Sequence, residues 1–385
     1  MNFLVFASLA LLSLTGASTR FEPAPSRMTA GVAPSPAGDD KQTEALFHKN
    51  QLVLESWLEH SASPRDWALA SQLLAYPADQ PAATKRRGGD LVRKAAAAAP
   101  DDRLVQWLWV QESPERSGCR TANTCPNRAG ALAGLDPDNG AAWPSVITDA
   151  WERKDIAAVD EAIGKMAETS HYDDAFGVTF RAWEEVVRRY PPAKQPRPTT
   201  DTLTVRAFGL VEGSVKWTES KSMDDIDRSP AGVAFVLVMQ GPWPMHPKLA
   251  RACDRGANPN ASARRFDDCG TIGRLLLEHS SFLLERFEGA LVLRTSGTAR
   301  ASDIGDARAL RWQEEKFGSL NVGQEAVAMD DYLTAYDTTN SEMAAMQHAL
   351  QSAHIPLNPP VTWQPTRDGK IINPLGEWHP SRERL

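Results

Sequence analysis

From Lys41 to Ala353 the apolar residues of this chain recur three and four positions apart, in successive blocks cut by short breaks carrying Asp, Pro or Gly. That spacing is the period of an amphipathic helix, and breaks this short force consecutive helices to run antiparallel. The chain is therefore expected to be all-α. Leu46, Val53, Leu54, Trp57 and Leu58 hold the first stripe. Ser63-Pro64-Arg65-Asp66 then supplies a capping hydroxyl, a proline at the first helical position and an acidic residue in the first turn. Trp67, Ala70, Leu73 and Leu74 continue that helix, and Pro77, Pro81 and Gly88-Gly89 read as the next break.

A denser series of helices is expected over residues 91–99, 104–111, 128–135, 141–153, 156–168 and 175–190. Asp101, Asp102, Asp138, Asn139, Asp155 and Asp173 stand before them, where a side-chain oxygen can accept from unpaired N–H groups. Prolines at 191, 192, 196 and 198 cannot continue a helix, so residues 191–200 read as a linker between helical regions at 41–190 and 201–355. Beyond the linker, Leu203, Ala207, Leu210, Val211 and Trp217 predict another amphipathic helix, and residues 233–239, apolar all round, a buried one. Helices over 249–253, 272–278, 282–293, 304–317 and 326–353 complete the second half, the last breaking near Thr338–Asn340. The proline-rich tail, 356–385, is expected to wrap over the helices or to form a short hairpin around Asp368-Gly369-Lys370.

Residues 3–14, FLVFASLALLSL, have the length of a signal-peptide core and are too short to span a bilayer. Thr15 and Ala17 suit a cleavage site, so residues 1–18 read as a signal peptide cut near Ala17, and residues 19–40, rich in Pro, Ala, Ser and Gly, as a flexible leader. A periplasmic or secreted protein is expected, with no membrane insertion after cleavage. The cysteines at 119, 125, 253 and 269 fit an oxidising compartment. Of the three possible pairings, spacing favours Cys119–Cys125 and Cys253–Cys269; buried free thiols are the alternative, and metal ligation lacks a C-x-x-C or a His pair. With 42 Lys+Arg against 49 Asp+Glu, the net charge of -7 argues against a nucleic-acid partner.

Leu135-Asp136-Pro137-Asp138-Asn139-Gly140-Ala141-Ala142-Trp143 resembles the junction between two tetratricopeptide repeats, in which a proline ends one repeat and an aromatic stands early in the next. Ala99-Pro100-Asp101-Asp102 lies upstream near one repeat length and is followed by Trp107, and Ala158, Ala162 and Met166 suit the second helix. Ile147, Ala150 and His171 depart from the pattern. The resemblance implies stacked antiparallel helix pairs, a tetratricopeptide-like α-solenoid over the first half with an irregular helical bundle after it.

None of the motifs H-E-x-x-H, G-x-S-x-G, G-x-x-x-x-G-K-[ST] or G-x-G-x-x-G occurs, and His48, His60, His171, His246, His279, His348 and His354 lack ligand spacing. The acidic cluster Asp224, Asp225 and Asp227 reads as a solvated, capping turn. The pairs Glu184-Glu185 and Asp330-Asp331 project in different directions and make no acid–base couple. No catalytic, cofactor-binding or metal-ligating residue is therefore assigned. Twelve Trp against five Tyr is an unusual ratio. Among them Trp109, Trp143 and Trp151 are candidates to line a groove for a protein or peptide partner, although helical spacing more often places a Trp in a helix seam. The expected function is a non-catalytic interaction or scaffold protein. The alternative is an envelope hydrolase with a site near residues 190–280.

Overall fold

The computed structural model describes residues 52–75, 81–112, 128–191, 204–207, 211–214, 230–239, 246–323, 325–367 and 370–376. The expected signal peptide, the leader, Cys119 and Cys125, the acidic cluster at 224–227 and most of the proline-rich linker lie outside them. The described chain is predominantly helical, as the periodicity requires. After a helical segment at 52–59 come α1 (Pro64–Ala75), α2 (Ala82–Ala98), α3 (Arg103–Gln111), α4 (Arg128–Leu135), α5 (Pro144–Glu152), α6 (Ile156–Ala167) and α7 (Phe176–Arg189). Then follow α8 (Pro230–Met239), α9 (Pro247–Ala252), α10 (Ala263–His279), α11 (Leu283–Ser296), α12 (Ala301–Gly323), α13 (Glu325–Thr339) and α14 (Glu342–Ser352).

Neighbouring helices pack as pairs: α1 on α2, α5 on α6, α10 on α11 and α13 on α14. The pairs join through α6 against α10 and α7 against α8, so one apolar cluster runs from Leu54 to Leu375. Polar contacts reinforce the same joins. Arg265 of α10 pairs with Asp160 of α6, and α7 reaches back to α1 through Trp183 Nε1 to Gln72 Oε1 at 2.9 Å and Arg189 to Asp66 at 2.8 Å.

The caps explain where the helices begin. Asp102 Oδ1 accepts from the amides of Leu104 and Val105, and Asp155 from that of Ala158. Asn139, buried, does more: its Oδ1 accepts from Ala141 and Asp173 amides, and its Nδ2 donates to Asp136 and to the Asp173 carbonyl. One side chain thus ties the α4–α5 junction to the α6–α7 junction, beside a Gly140 N–H to His171 carbonyl bond of 2.8 Å. At α1 the expected cap is displaced. Ser61 accepts the Ser63 amide at 3.1 Å and donates its hydroxyl to Asp66 at 2.6 Å, and no Ser63 hydroxyl-to-amide bond is found among the described residues, while Pro64 opens the helix as its ring geometry favours.

Two expectations fail. Gly88-Gly89 do not break the chain but lie inside α2. A Cβ on Gly88 would stand 3.0 Å from Leu74 Cβ and 3.2 Å from the Ser71 carbonyl, so glycine there sets the close approach of α2 to α1 rather than a turn. Where an amphipathic helix is expected over 203–217, the described residues 204–207 and 211–214 are instead two strands. β1 (Thr204–Ala207) pairs antiparallel with β2 (Val211–Ser214), in register Thr204↔Ser214 to Ala207↔Val211. Leu203, Val205 and Ala207 also fit a two-residue alternation, and β-branched Thr204, Val205 and Val211 with Gly209 and Gly213 favour extended strands and a turn.

Residues 233–239 do form a buried helix within α8, with Ala234, Leu237 and Val238 in the core. The tail both wraps and turns back. Trp312 Nε1 of α12 donates to the Pro356 carbonyl at 2.7 Å, and Gln313 Nε2 to the Leu357 carbonyl at 3.0 Å, before β3 (Thr366–Arg367) pairs with β4 (Lys370–Ile371). Cys253 and Cys269 sit at disulfide distance, with S–S 2.02 Å, and tie the end of α9 to α10. A closed loop of that length stabilises by roughly 3 kcal/mol.

Candidate functional site

The groups with the most unusual environment gather where the two halves meet. The segment leading into α7 contributes Tyr172 and Asp174, the residue before α9 contributes His246, and the α10–α11 turn contributes Ser280 and Ser281. The first two turns of α11 add Glu285 and Glu288, and the start of α14 adds Glu342. Each is placed by local rules. Asp174 is held by accepting the Phe176 amide at 2.9 Å, in the manner of a helix cap. Glu285 lies on the buried stripe Phe282, Glu285, Gly289, Val292 and Ser296, so the helix drives its carboxyl into the interior.

Glu285 is 0% exposed and Asp174 1%. Glu285 Oε1 accepts the Tyr172 hydroxyl at 2.8 Å, and Oε2 accepts the Ser280 hydroxyl at 2.7 Å. Asp174 in turn accepts from Ser281 at 3.1 Å. His246 Nε2 lies 3.4 Å from the Tyr172 hydroxyl and 3.7 Å from Glu285 Oε1, while Glu288 Oε2 accepts the His246 amide at 3.2 Å. Glu342 Oε2 accepts the Leu283 amide at 2.7 Å.

Burial dominates the protonation of all these groups. It pushes Glu285 up to about 7 against the opposing pull of its donors, and Glu342 to about 7 as well. Asp174 is raised well above the usual carboxylate range, by burial first and the Glu285 charge second. Glu288 is raised and His246 lowered, again by burial, and the Tyr172 hydroxyl is held firmly protonated. The donors that a substrate or ion would have to displace at Glu285 are thus the protein's own Tyr172 and Ser280. Among the described residues, no group of three His, Cys, Asp or Glu has the geometry to hold a metal.

The tryptophans singled out in the sequence are dispersed. Trp151 is 6% exposed and fills the core, as do Trp107 and Trp183, so Trp151 presents no groove surface. Trp109 and Trp143 are half-buried against that core; Trp143 Nε1 donates to the Pro137 carbonyl at 3.0 Å, and Trp109 Nε1 finds no acceptor among the described residues. Glu184 and Glu185 sit near the end of α7, and Asp330 and Asp331 in α13. A surface hollow of about 580 Å³ lies at the α2–α3 turn, lined by Arg65, Asp101, Asp102 and Arg103. Two of its charges are paired there: Arg65 with Asp102 at 2.5 Å and Arg103 with Asp136 at 2.6 Å.

Sequence reasoning passed over Tyr172, Asp174, Glu285, Glu288 and Glu342, and set His246 among unconnected histidines. One signal was present: a carboxylate at position 285 on an otherwise apolar helical stripe. No helix of the described residues is long and apolar enough to cross a membrane. No protein-family model matches the chain, and neither a curated protein nor a solved structure matches it.

Proposed function

We propose that the chain is a non-catalytic, exported interaction protein, a tetratricopeptide-like helical body that docks a protein partner through its C-terminal strap, the described tail from Pro356 onward that is held to α12. The observation that carries this reading is an exposed apolar surface held rigid. Val361 is 92% exposed and Ile371 70% exposed, both on the strap. Yet the strap around Val361 is fixed: Arg308 of α12 donates to the carbonyls of Pro360, Val361 (3.0 Å) and Trp363 (2.6 Å). Trp363 stands edge-on to Trp312 with ring centroids 5.4 Å apart. An apolar tip already immobilised loses little conformational freedom on binding, which favours affinity.

Affinity capture from envelope extract tests this reading. Val361→Asp is expected to lower capture of a discrete partner at least about tenfold, the effect of some 1.4 kcal/mol, with helicity unchanged. Equal capture by both proteins would refute the strap as the docking surface.

A second reading rests on the buried constellation of His246, Tyr172, Ser280 and Glu285, whose displaced protonation is of the kind found at active sites. It supports the hydrolase alternative, and substitution of Glu285 separates the two readings, as argued below.

A further inference from the structure

We infer that Asn260, on the surface turn between α9 and α10, is an N-glycan acceptor, an assignment that rests on the export proposed above and not on the docking role. Asn260-Ala261-Ser262 is the one Asn-x-Ser/Thr triplet in the chain, and its middle residue is not proline. That spacing sets a hydroxyl two residues after a side-chain amide, the pair of groups that N-glycan transfer requires of a secreted protein. Every other asparagine of the sequence lacks a hydroxyl two positions on.

Packing sets Asn260 apart from its counterparts as well. Asn258, two residues earlier, has its Nδ2 spent on the Arg251 carbonyl at 2.7 Å and the Asp254 carbonyl at 3.0 Å. Asn340 Oδ1 accepts from Arg181 at 2.6 Å, and buried Asn139 ties two junctions together. Asn260 is exposed, and its side chain makes no hydrogen bond among the described residues. Gly256, Ala257, Pro259 and Ser262 beside it are exposed too, so a bulky polar group there displaces no core contact. Beneath them the turn is fixed. Asp254 Oδ1 accepts the Gly256 amide at 2.8 Å, the Asn258 carbonyl accepts the Ala261 amide at 3.0 Å, and Cys253–Cys269 closes the loop on both sides.

Transfer joins Asn260 Nδ2 to the anomeric carbon of the first sugar of a polyprenyl-pyrophosphate-linked oligosaccharide, the co-substrate. The bond from that carbon to the pyrophosphate oxygen breaks, the pyrophosphate leaves with the electron pair, and one amide proton passes to a base of the membrane transferase. Nothing is oxidised or reduced. In the folded chain the Ser262 oxygen caps α10 by accepting the Arg265 amide at 3.1 Å. The transferase reads that same hydroxyl, so cap and transfer compete for it. Sugar addition is therefore expected during export, before α10 is capped and the Cys253–Cys269 loop is closed around the triplet.

Mass spectrometry of the full-length chain tests this, with the chain made behind its own leader in cells whose secretory route carries such a transferase. The expected result is a glycan increment that peptide N-glycosidase removes, leaving Asp at position 260, and that is lost completely in Asn260→Gln. Ser262→Asp keeps an oxygen to cap α10 but removes the hydroxyl, so it too is expected to lose the increment, with helicity unchanged. An increment that persists in Asn260→Gln overturns the assignment. So does a chain whose N terminus begins after Ala17 but whose Asn260 is bare, a result that leaves export standing. An uncleaved leader counts against export instead, and the chain placed behind a heterologous cleavable leader then decides: a glycan on Asn260 supports the acceptor, and a bare Asn260 overturns it.

Discussion

Gly289→Ala is expected to lower the unfolding free energy by about 3 kcal/mol, the upper range for forcing atoms into a packed interior. A Cβ at that position would stand 2.6 Å from the Gly273 carbonyl oxygen, 2.6 Å from the Leu277 amide and 2.7 Å from Leu276 Cβ. Two of these are backbone atoms of α10, which cannot swing aside as a side chain end can. Gly273 answers from the other helix, where a Cβ would meet Leu293 Cγ at 2.7 Å and the Gly289 carbonyl at 3.0 Å. The two glycines thus let the α10 and α11 backbones touch, just one turn from Glu285. A control shows the opposite sign. Gly305, exposed in α12 with open space around its would-be Cβ, should gain about 0.5–1 kcal/mol on becoming alanine, from helix propensity alone. Denaturant midpoints of the two variants measure both effects; a midpoint unchanged by Gly289→Ala would contradict the described helix contact.

Glu285→Ala should be comparably damaging, costing more than about 3 kcal/mol. Each buried donor left without an acceptor costs on the order of 1–3 kcal/mol, and Tyr172 and Ser280 both donate to Glu285. The cavity left by the lost side chain adds to this. The same variant distinguishes the two functional readings. Residues kept for catalysis are commonly strained or unsatisfied in the folded state, so removing them is neutral or stabilising. A loss of several kcal/mol places Glu285 among the residues that hold the fold. A gain in thermal stability would instead favour the hydrolase reading.

The helices were legible because their signal is local. Caps at Asp102, Asn139 and Asp155, the stripe of α7 and the break near Asn340 all depend on residues within a few positions of one another. The misreadings share a cause: a residue type with two meanings resolved only by a distant neighbour. Gly88 looks like a turn until Leu74 of α1 is seen against it, and residues 203–217 satisfy both a helical and an alternating spacing. The acid cluster was hidden for the same reason. Locally Asp174 only accepts the Phe176 amide just before α7, and its burial near Glu285 comes with the arrival of α11. Its assembly is a property of the packing of α7, α11 and α14, which no short window of sequence contains.

The docking reading is tested most directly by a photo-activated cross-linker placed at position 361 of the full chain in cells that produce it, with position 178, an exposed apolar site on α7, as the comparison. The expected result is a discrete adduct from position 361, absent at 178 and lost when Arg308→Ala frees the strap. Equal adducts from both positions, or none from 361 in a folded protein, would contradict it.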